Sequence, residues 1–243
     1  MLSHKHKIIF VHVPKTAGQS VELFFLQKFE IPWESRGVLL LDKNTDPSKG
    51  PFRLAHLTAS EYSSLGYVKN EELESYFKFS FVRDPWSRLV SEYKWHGYYR
   101  RWSFKDWLYN AFPQPDGTDD WRHVMSQYDY LYDEKGLCLV DFIGHFESLE
   151  DDFKVIQTKL GFSLEKLPHV NQTLEQPISI KTSYAKNFAR LLWRRIKSKE
   201  KFHKTYYDYY DSHTWEWVAK RYAKDIHAFG YTDQLNRFNS ISV

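Results

Sequence analysis

The feature that most constrains this chain is a unit that occurs twice: a short apolar run, a turn, then an apolar stripe at helical spacing. Ile8 to Val13 is apolar and β-branched apart from His12, the pattern of a strand covered on both faces, as in a parallel sheet. Pro14 and Gly18 mark a turn, after which Val21, Phe24, Phe25 and Phe29 recur on one helix face. The same grammar returns at Phe77 to Val82, where Phe77, Phe79 and Phe81 alternate with Lys78 and Ser80. Asp84 suits an N-cap and Pro85 the first helical position, so a helix through Leu89 and Tyr93 is predicted.

Leu137 to Ile143 is a third strand candidate. Behind it, Ser148 and Asp151 fit a capping box, Leu149, Phe153, Ile156 and Leu160 form one stripe, and Gly161 stands where a helix would end. Trp215, Val218, Tyr222, Ile226 and Phe229 make a further stripe closed by Gly230, and shorter strands are expected at Val38 to Leu41 and Phe52 to Ala55. Strands alternating with helices predict an α/β fold, a P-loop-like three-layer arrangement with a mainly parallel central sheet flanked by helices. At 243 residues and 42% hydrophobic composition the chain suffices for one core, so a single domain over 1–243 is expected. Lys181 to Lys204 differs from the rest: Lys186, Arg190, Arg194, Arg195, Lys197, Lys199, Lys201 and Lys204 surround Leu191, Leu192 and Trp193. It reads either as a solvated amphipathic helix or as a mobile insertion that attracts an anionic ligand.

Composition narrows the function. With 34 basic and 31 acidic side chains the net charge is only +3, too balanced for a nucleic-acid binder, although a local anion site is compatible with it. One cysteine, Cys138, excludes an intramolecular disulfide and any multi-cysteine metal site. No histidine pair stands at metal-ligand spacing with carboxylates, and no metal is expected. Met1 to Lys7 is polar and basic, and Ile8 to Val13 is too short for a signal-peptide core or a membrane span. No integral membrane segment is expected, and the setting reads as cytoplasmic or membrane-peripheral.

Two segments carry chemistry. Pro14-Lys15-Thr16-Ala17-Gly18-Gln19-Ser20 sits where strand gives way to helix, so backbone N–H groups can converge on an anion. Lys15 adds a point charge, and Thr16, Gln19 and Ser20 add donors. GxxxxGK[ST] is absent, since the lysine precedes the glycine. In Phe81 to Tyr93, Arg83 stands at a strand end and Ser91 two turns into the next helix, a guanidinium and a hydroxyl able to grip one phosphate.

Together these segments resemble the sulfotransferases, most closely the carbohydrate branch that includes heparan sulfate 2-O- and chondroitin-type enzymes and bacterial homologues. The family pattern HxPKTGGTS is met by His12 to Ser20, and FVRNPxxRxxSxY by Phe81 to Tyr93. Ala17 and Gln19 depart from the usual Gly and Thr or Ser, and His145 stands where Arg is common. The likeness extends through Asp141 to Glu147, Leu167 to Asn171 and Phe229-Gly230-Tyr231.

The resemblance implies transfer of a sulfuryl group from 3′-phosphoadenosine 5′-phosphosulfate (PAPS) to a hydroxyl acceptor, carbohydrate or glycolipid, without a metal. The first motif would hold the 5′-phosphosulfate, with Lys15 at the leaving oxygen. Arg83 and Ser91 would hold the 3′-phosphate, and Lys181, Thr182 and Ser183 fall where a segment often closes over the nucleotide. His56, within Ala55-His56-Leu57-Thr58-Ala59, matches the family's active-site histidine and is the favoured base, with His12 and Glu147 as alternatives. Anchored relatives carry a membrane segment ahead of the catalytic domain, so a chain lacking one suggests a bacterial cytoplasmic enzyme or a trimmed form. Tyr93, Trp95, Tyr98, Tyr99 and Trp102 are candidates to stack on sugar or to pack as core, with Arg100 and Arg101 for anionic groups. Two other readings compete: a nucleotide or metabolite kinase on a related fold, and a non-catalytic binder of anionic glycans.

Overall fold

The computed structural model describes residues 1–168 and 202–236. Outside that range lie most of the basic segment at Lys181 to Lys204, the Lys181, Thr182 and Ser183 contacts, and the stretch from His169 to Asn171.

Four strands form one sheet in the order β1 (Leu2–Ser3), β2 (Ile8–Val11), β3 (Phe77–Val82) and β4 (Phe142–His145). β1 runs antiparallel to β2, and the other pairs are parallel, with Phe10 opposite Phe79 and Phe81 opposite Gly144. The expected α/β architecture is therefore present, with helices on both faces. Successive side chains of a strand face opposite ways. Ile8, Phe10, Phe79 and Phe81 enter a core with Val21, Phe24 and Phe25 of α1 (Gly18–Lys28) and Phe153 and Ile156 of the helix Leu149–Lys159. Ile9, Val11 and Val82 face a second core built on Trp86, Tyr93, Trp107, Trp215 and Val218. Both faces are covered, which explains the unbroken apolar run at β2. Much of the aromatic content lies in these cores, including Tyr93 and Tyr99.

The second unit forms as predicted. The helix Pro85–His96 is capped by Asp84, whose carboxylate accepts the Ser87 N–H at 2.7 Å.

Several local expectations need correction. Val38 to Leu41 and Phe52 to Ala55 are not strands: 3₁₀ turns span Trp33–Leu39 and Leu54–His56, and only a lone bridge joins Lys43 to Arg53. Leu40 sits at φ 59°, a conformation that no strand contains. The third strand is shorter than Leu137 to Ile143 because Cys138 bridges Tyr132 instead, and pairing with β3 starts at Phe142. Ser148 and Asp151 make no capping box, since the Ser148 hydroxyl donates to Asp152, which also accepts the His145 N–H. The C-terminal stripe is buried as expected, but it spans two helices, Ser212–Arg221 and Ala223–Ala228, that break at Tyr222.

Candidate active site

Three adjacent parallel strands end at one edge, and each delivers a different group there. In open α/β sheets ligands bind beyond such carboxyl ends. After β2 the loop from His12 to Ala17 turns into α1, and no side chain caps that helix. Its first-turn N–H groups therefore lack the usual side-chain acceptor. Lys15 and Ala17 both adopt left-handed backbone, at φ 72° and 70°, which costs a non-glycine residue roughly 1–2 kcal/mol each. The loop is held against that strain. Thr16 is buried and donates its hydroxyl to the Val13 carbonyl at 2.8 Å, so its contribution toward a ligand is its backbone N–H. Gly18 is required by close approach, because a Cβ there would lie 2.0 Å from the His12 ring.

Arg83 follows β3 and ties the two motifs together. Its Nη1 donates to the Lys15 carbonyl at 3.2 Å, its Nε to Ser87 Oγ at 2.9 Å, and its guanidinium lies 4.0 Å from the centre of the Phe146 ring, just after β4. Among the described residues no carboxylate comes within ion-pair distance of Arg83. Burial lowers its pKa to about 10, against the opposing pull of Glu147 and Asp84. Gln127 fixes its backbone, accepting the Arg83 N–H at 2.9 Å and donating to its carbonyl at 2.8 Å. Ser91 is half-buried two turns into the helix. Pro14 is buried, while Gln19 and Ser20 open toward solvent at the start of α1.

Sequence reasoning undervalued Arg88. It donates to the carbonyls of Pro14 (3.1 Å), Met125 (2.9 Å) and His123 (3.0 Å), and so fixes the loop against a further wall. Glu92, one turn on, accepts from His123 Nδ1 at 2.9 Å. Burial pushes its carboxyl up, but the hydrogen bond from His123, the His96 ring 3.6 Å away and the charge of Lys15 outweigh this and hold it at about 2. Lys15 Nζ lies 4.5 Å from the centre of the half-exposed Trp95 ring. Burial lowers the Lys15 amine to about 8; Glu92 opposes that shift and Arg83 reinforces it.

His56 lies on the same side. It is buried, with ring centres of His12 at 4.8 Å and His123 at 5.0 Å. Its Nδ1 stands 3.3 Å from the His12 carbonyl, which can only accept, so Nδ1 carries the hydrogen and Nε2 the lone pair. Burial first, then the charges of His12 and His123, depress its pKa well below that of an ordinary histidine. His56 is thus a neutral proton acceptor at neutral pH. His12 is tethered through Nδ1 to Glu22 at 2.6 Å, and its Nε2 edge packs against Gly18. Glu147 is committed on both oxygens, to the Asp84 N–H at 2.9 Å and the Tyr231 hydroxyl at 3.0 Å. Asp119 and His123 join His56 in space, their ligating atoms all within 4.8 Å of one another.

The sulfotransferase family model matches residues 1–232. This chain belongs to the sulfotransferase family. Sulfuryl transfer is the family's chemistry, and the kinase reading is set aside. Carbohydrate sulfotransferase 11 of Rattus norvegicus and of Mus musculus are each 32% identical over 97 residues, 39% of this chain and 25% of theirs. The match spans only a quarter of those relatives' length. An uncharacterized protein of Archaeoglobus fulgidus is 30% identical over 115 residues, covering 43% of this sulfotransferase and 83% of that protein. No solved structure matches significantly. Among the described residues no helix is long and apolar enough to cross a membrane.

Proposed function

We propose that this sulfotransferase moves the sulfuryl group of PAPS onto a hydroxyl of a carbohydrate or glycolipid. The observation that carries the reading is the bond from Arg83 to the Lys15 backbone carbonyl, which ties the two cation-bearing segments together at neighbouring strand ends. A nucleotide phosphorylated at both ends needs two such grips. The uncapped start of α1, the strained loop and Lys15 suit the 5′-phosphosulfate. Arg83 and Ser91 suit the 3′-phosphate.

In the proposed reaction the acceptor oxygen forms a bond to sulfur as the bond from sulfur to the bridging phosphate oxygen breaks. His56 Nε2 takes the acceptor proton, and protonated Lys15 stabilises charge on the departing oxygen. Positioning and electrostatics supply the rate, as in phosphoryl transfer. The carbohydrate acceptor is proposed from the likeness to the carbohydrate sulfotransferases, with the partly exposed Trp95, which stacks on His123 and carries Lys15 over its ring, as an apolar contact for a sugar.

The test is to incubate the chain with PAPS carrying labelled sulfate and a panel of glycans and cell-envelope lipids. Label in a glycan or glycolipid hydroxyl is expected, together with far tighter binding of 3′-phosphoadenosine 5′-phosphate than of ATP. Glycan binding with neither nucleotide affinity nor transfer would instead identify a non-catalytic binder.

A further inference from the structure

We infer that His56, His123 and Asp119 form a binding site for a divalent transition-metal ion of the zinc type. Three acceptors meet in one small space. Asp119 begins the helix Asp119–Val124 and His123 lies one turn on, so both project from one face at i, i+4, with His123 Nε2 3.9 Å from Asp119 Oδ2. His56 closes the set from the opposite wall, with the ligating atoms of all three within 4.8 Å. Two ligands on a tetrahedral zinc ion stand roughly 3.4 Å apart, given metal bonds of about 2.0–2.2 Å. Rotamer shifts of about 1 Å would therefore bring these atoms onto one ion.

The state of the ligands supports a cation. Both histidines are tethered through Nδ1, His123 to the Glu92 carboxylate at 2.9 Å and His56 to the His12 carbonyl at 3.3 Å. Each Nε2 is left with its lone pair, the carboxylate–histidine arrangement that orients metal ligands. His123 is 5% exposed, and its Nε2, like Asp119 Oδ1, is buried without a hydrogen-bond partner among the described residues. Arg53 Nε lies 2.9 Å from Asp119 Oδ2, the same oxygen that stands 3.9 Å from His123 Nε2, and tempers the site's charge, while Oδ1 is left without a partner among the described residues. Two imidazoles and one carboxylate favour Zn²⁺ over Mg²⁺ or Ca²⁺, which prefer oxygen ligands.

Binding does not depend on the proposed reaction; its consequence does. If His56 is the base, the ion occupies the lone pair that would take the proton. Zn²⁺ then inhibits transfer and a chelator restores it. Zn²⁺ binding without inhibition would keep the site and remove His56 as base.

The site is tested by calorimetric titration of the chain with Zn²⁺ and, separately, Mg²⁺. One saturable Zn²⁺ site and no competition from Mg²⁺ are expected. His123→Ala and Asp119→Asn should each weaken it by more than about 100-fold, and Glu92→Gln, which loosens only the support behind His123, by about 10–100-fold. The exposed His213→Ala should bind as wild type. Since a variant can fail to fold, Co²⁺ is also added to the unaltered chain. Intense visible bands of a tetrahedral nitrogen and oxygen site, lost on adding Zn²⁺, are expected. Absence of saturable Zn²⁺ binding, undiminished affinity in His123→Ala, or only the weak spectrum of hydrated Co²⁺ would overturn the inference.

Discussion

The two sides of Arg83 make an instructive contrast. On one side lie Lys15, His56, His123 and Trp95. On the other a cavity of about 450 Å³ is lined by Asp84, Phe146, Glu147, Tyr206 and Tyr231 among others. Both hold buried titratable groups, and on both burial shifts them: Asp84 is raised to about 6, opposed by the Ser87 N–H and reinforced by Glu147. Yet on the cavity side the carboxylate oxygens are in use. Glu147 accepts from the Asp84 N–H and the Tyr231 hydroxyl, and Asp84 accepts from the Ser87 N–H and, at 3.4 Å, the Tyr206 hydroxyl. On the other side His56 keeps Nε2 without a partner among the described residues. A base needs a free lone pair as well as a suitable pKa, so the contrast favours the proposed proton transfer on the His56 side and structural support on the other.

The strongest way to break this contrast is to exchange its members. His56→Ala should lower single-turnover sulfuryl transfer by about 10²–10⁴-fold, the usual worth of a general base. Glu147→Gln should lower the melting temperature, by loss of an acceptor for the Asp84 N–H or the Tyr231 hydroxyl, while leaving turnover near wild type. A larger rate loss in Glu147→Gln than in His56→Ala would reverse the assignment.

Lys15→Ala should cost about 10²–10³-fold in kcat, by analogy with removal of one oxyanion donor. The pH dependence sharpens this. Lys15 must be protonated to act, and it loses its proton as pH rises through about 8, so kcat/KM should fall above that value. The acid limb, set by His56, should lie well below the range of an unperturbed histidine, because protonation removes the lone pair only there. Lys15→Arg, which stays charged, should abolish the alkaline limb if it supports turnover. An unchanged alkaline limb in that variant would remove Lys15 as its source.

The smallest expected effect is on stability. Ala17 holds φ 70°, where the related motif carries glycine, so Ala17→Gly should relieve strain. The glycine gains backbone freedom when unfolded, which offsets part of this. A net gain of about 0.5–1 kcal/mol in denaturant unfolding is expected. A loss would mean that the left-handed turn costs this alanine nothing.

How much was legible in the sequence varied with the range of the interactions. Both strand–turn–helix units and the placing of Lys15 and Arg83 at strand ends were readable, because local alternation, Asp84 and Pro85 encode them. The expected strand ahead of His56 was misread: a short apolar run takes strand form only beside a partner, and Arg53 has just one bridge. The three-carbonyl grip of Arg88 joins the loop after β2 to Met125 and His123, contacts that no spacing reveals. Asp119 and His123 did carry a signal, their i, i+4 spacing, but His56 is distant in sequence and joins them only through the fold.

The central claim is that neighbouring strand ends grip a nucleotide phosphorylated at both ends, and titration calorimetry of wild type and Arg83→Ala tests it most directly. For 3′-phosphoadenosine 5′-phosphate, Arg83→Ala should lose about 10–100-fold in affinity, the worth of a hydrogen bond to a charged group. For adenosine 5′-phosphate, which lacks the 3′ group, the loss should be far smaller. Equal losses for the two ligands would contradict the account.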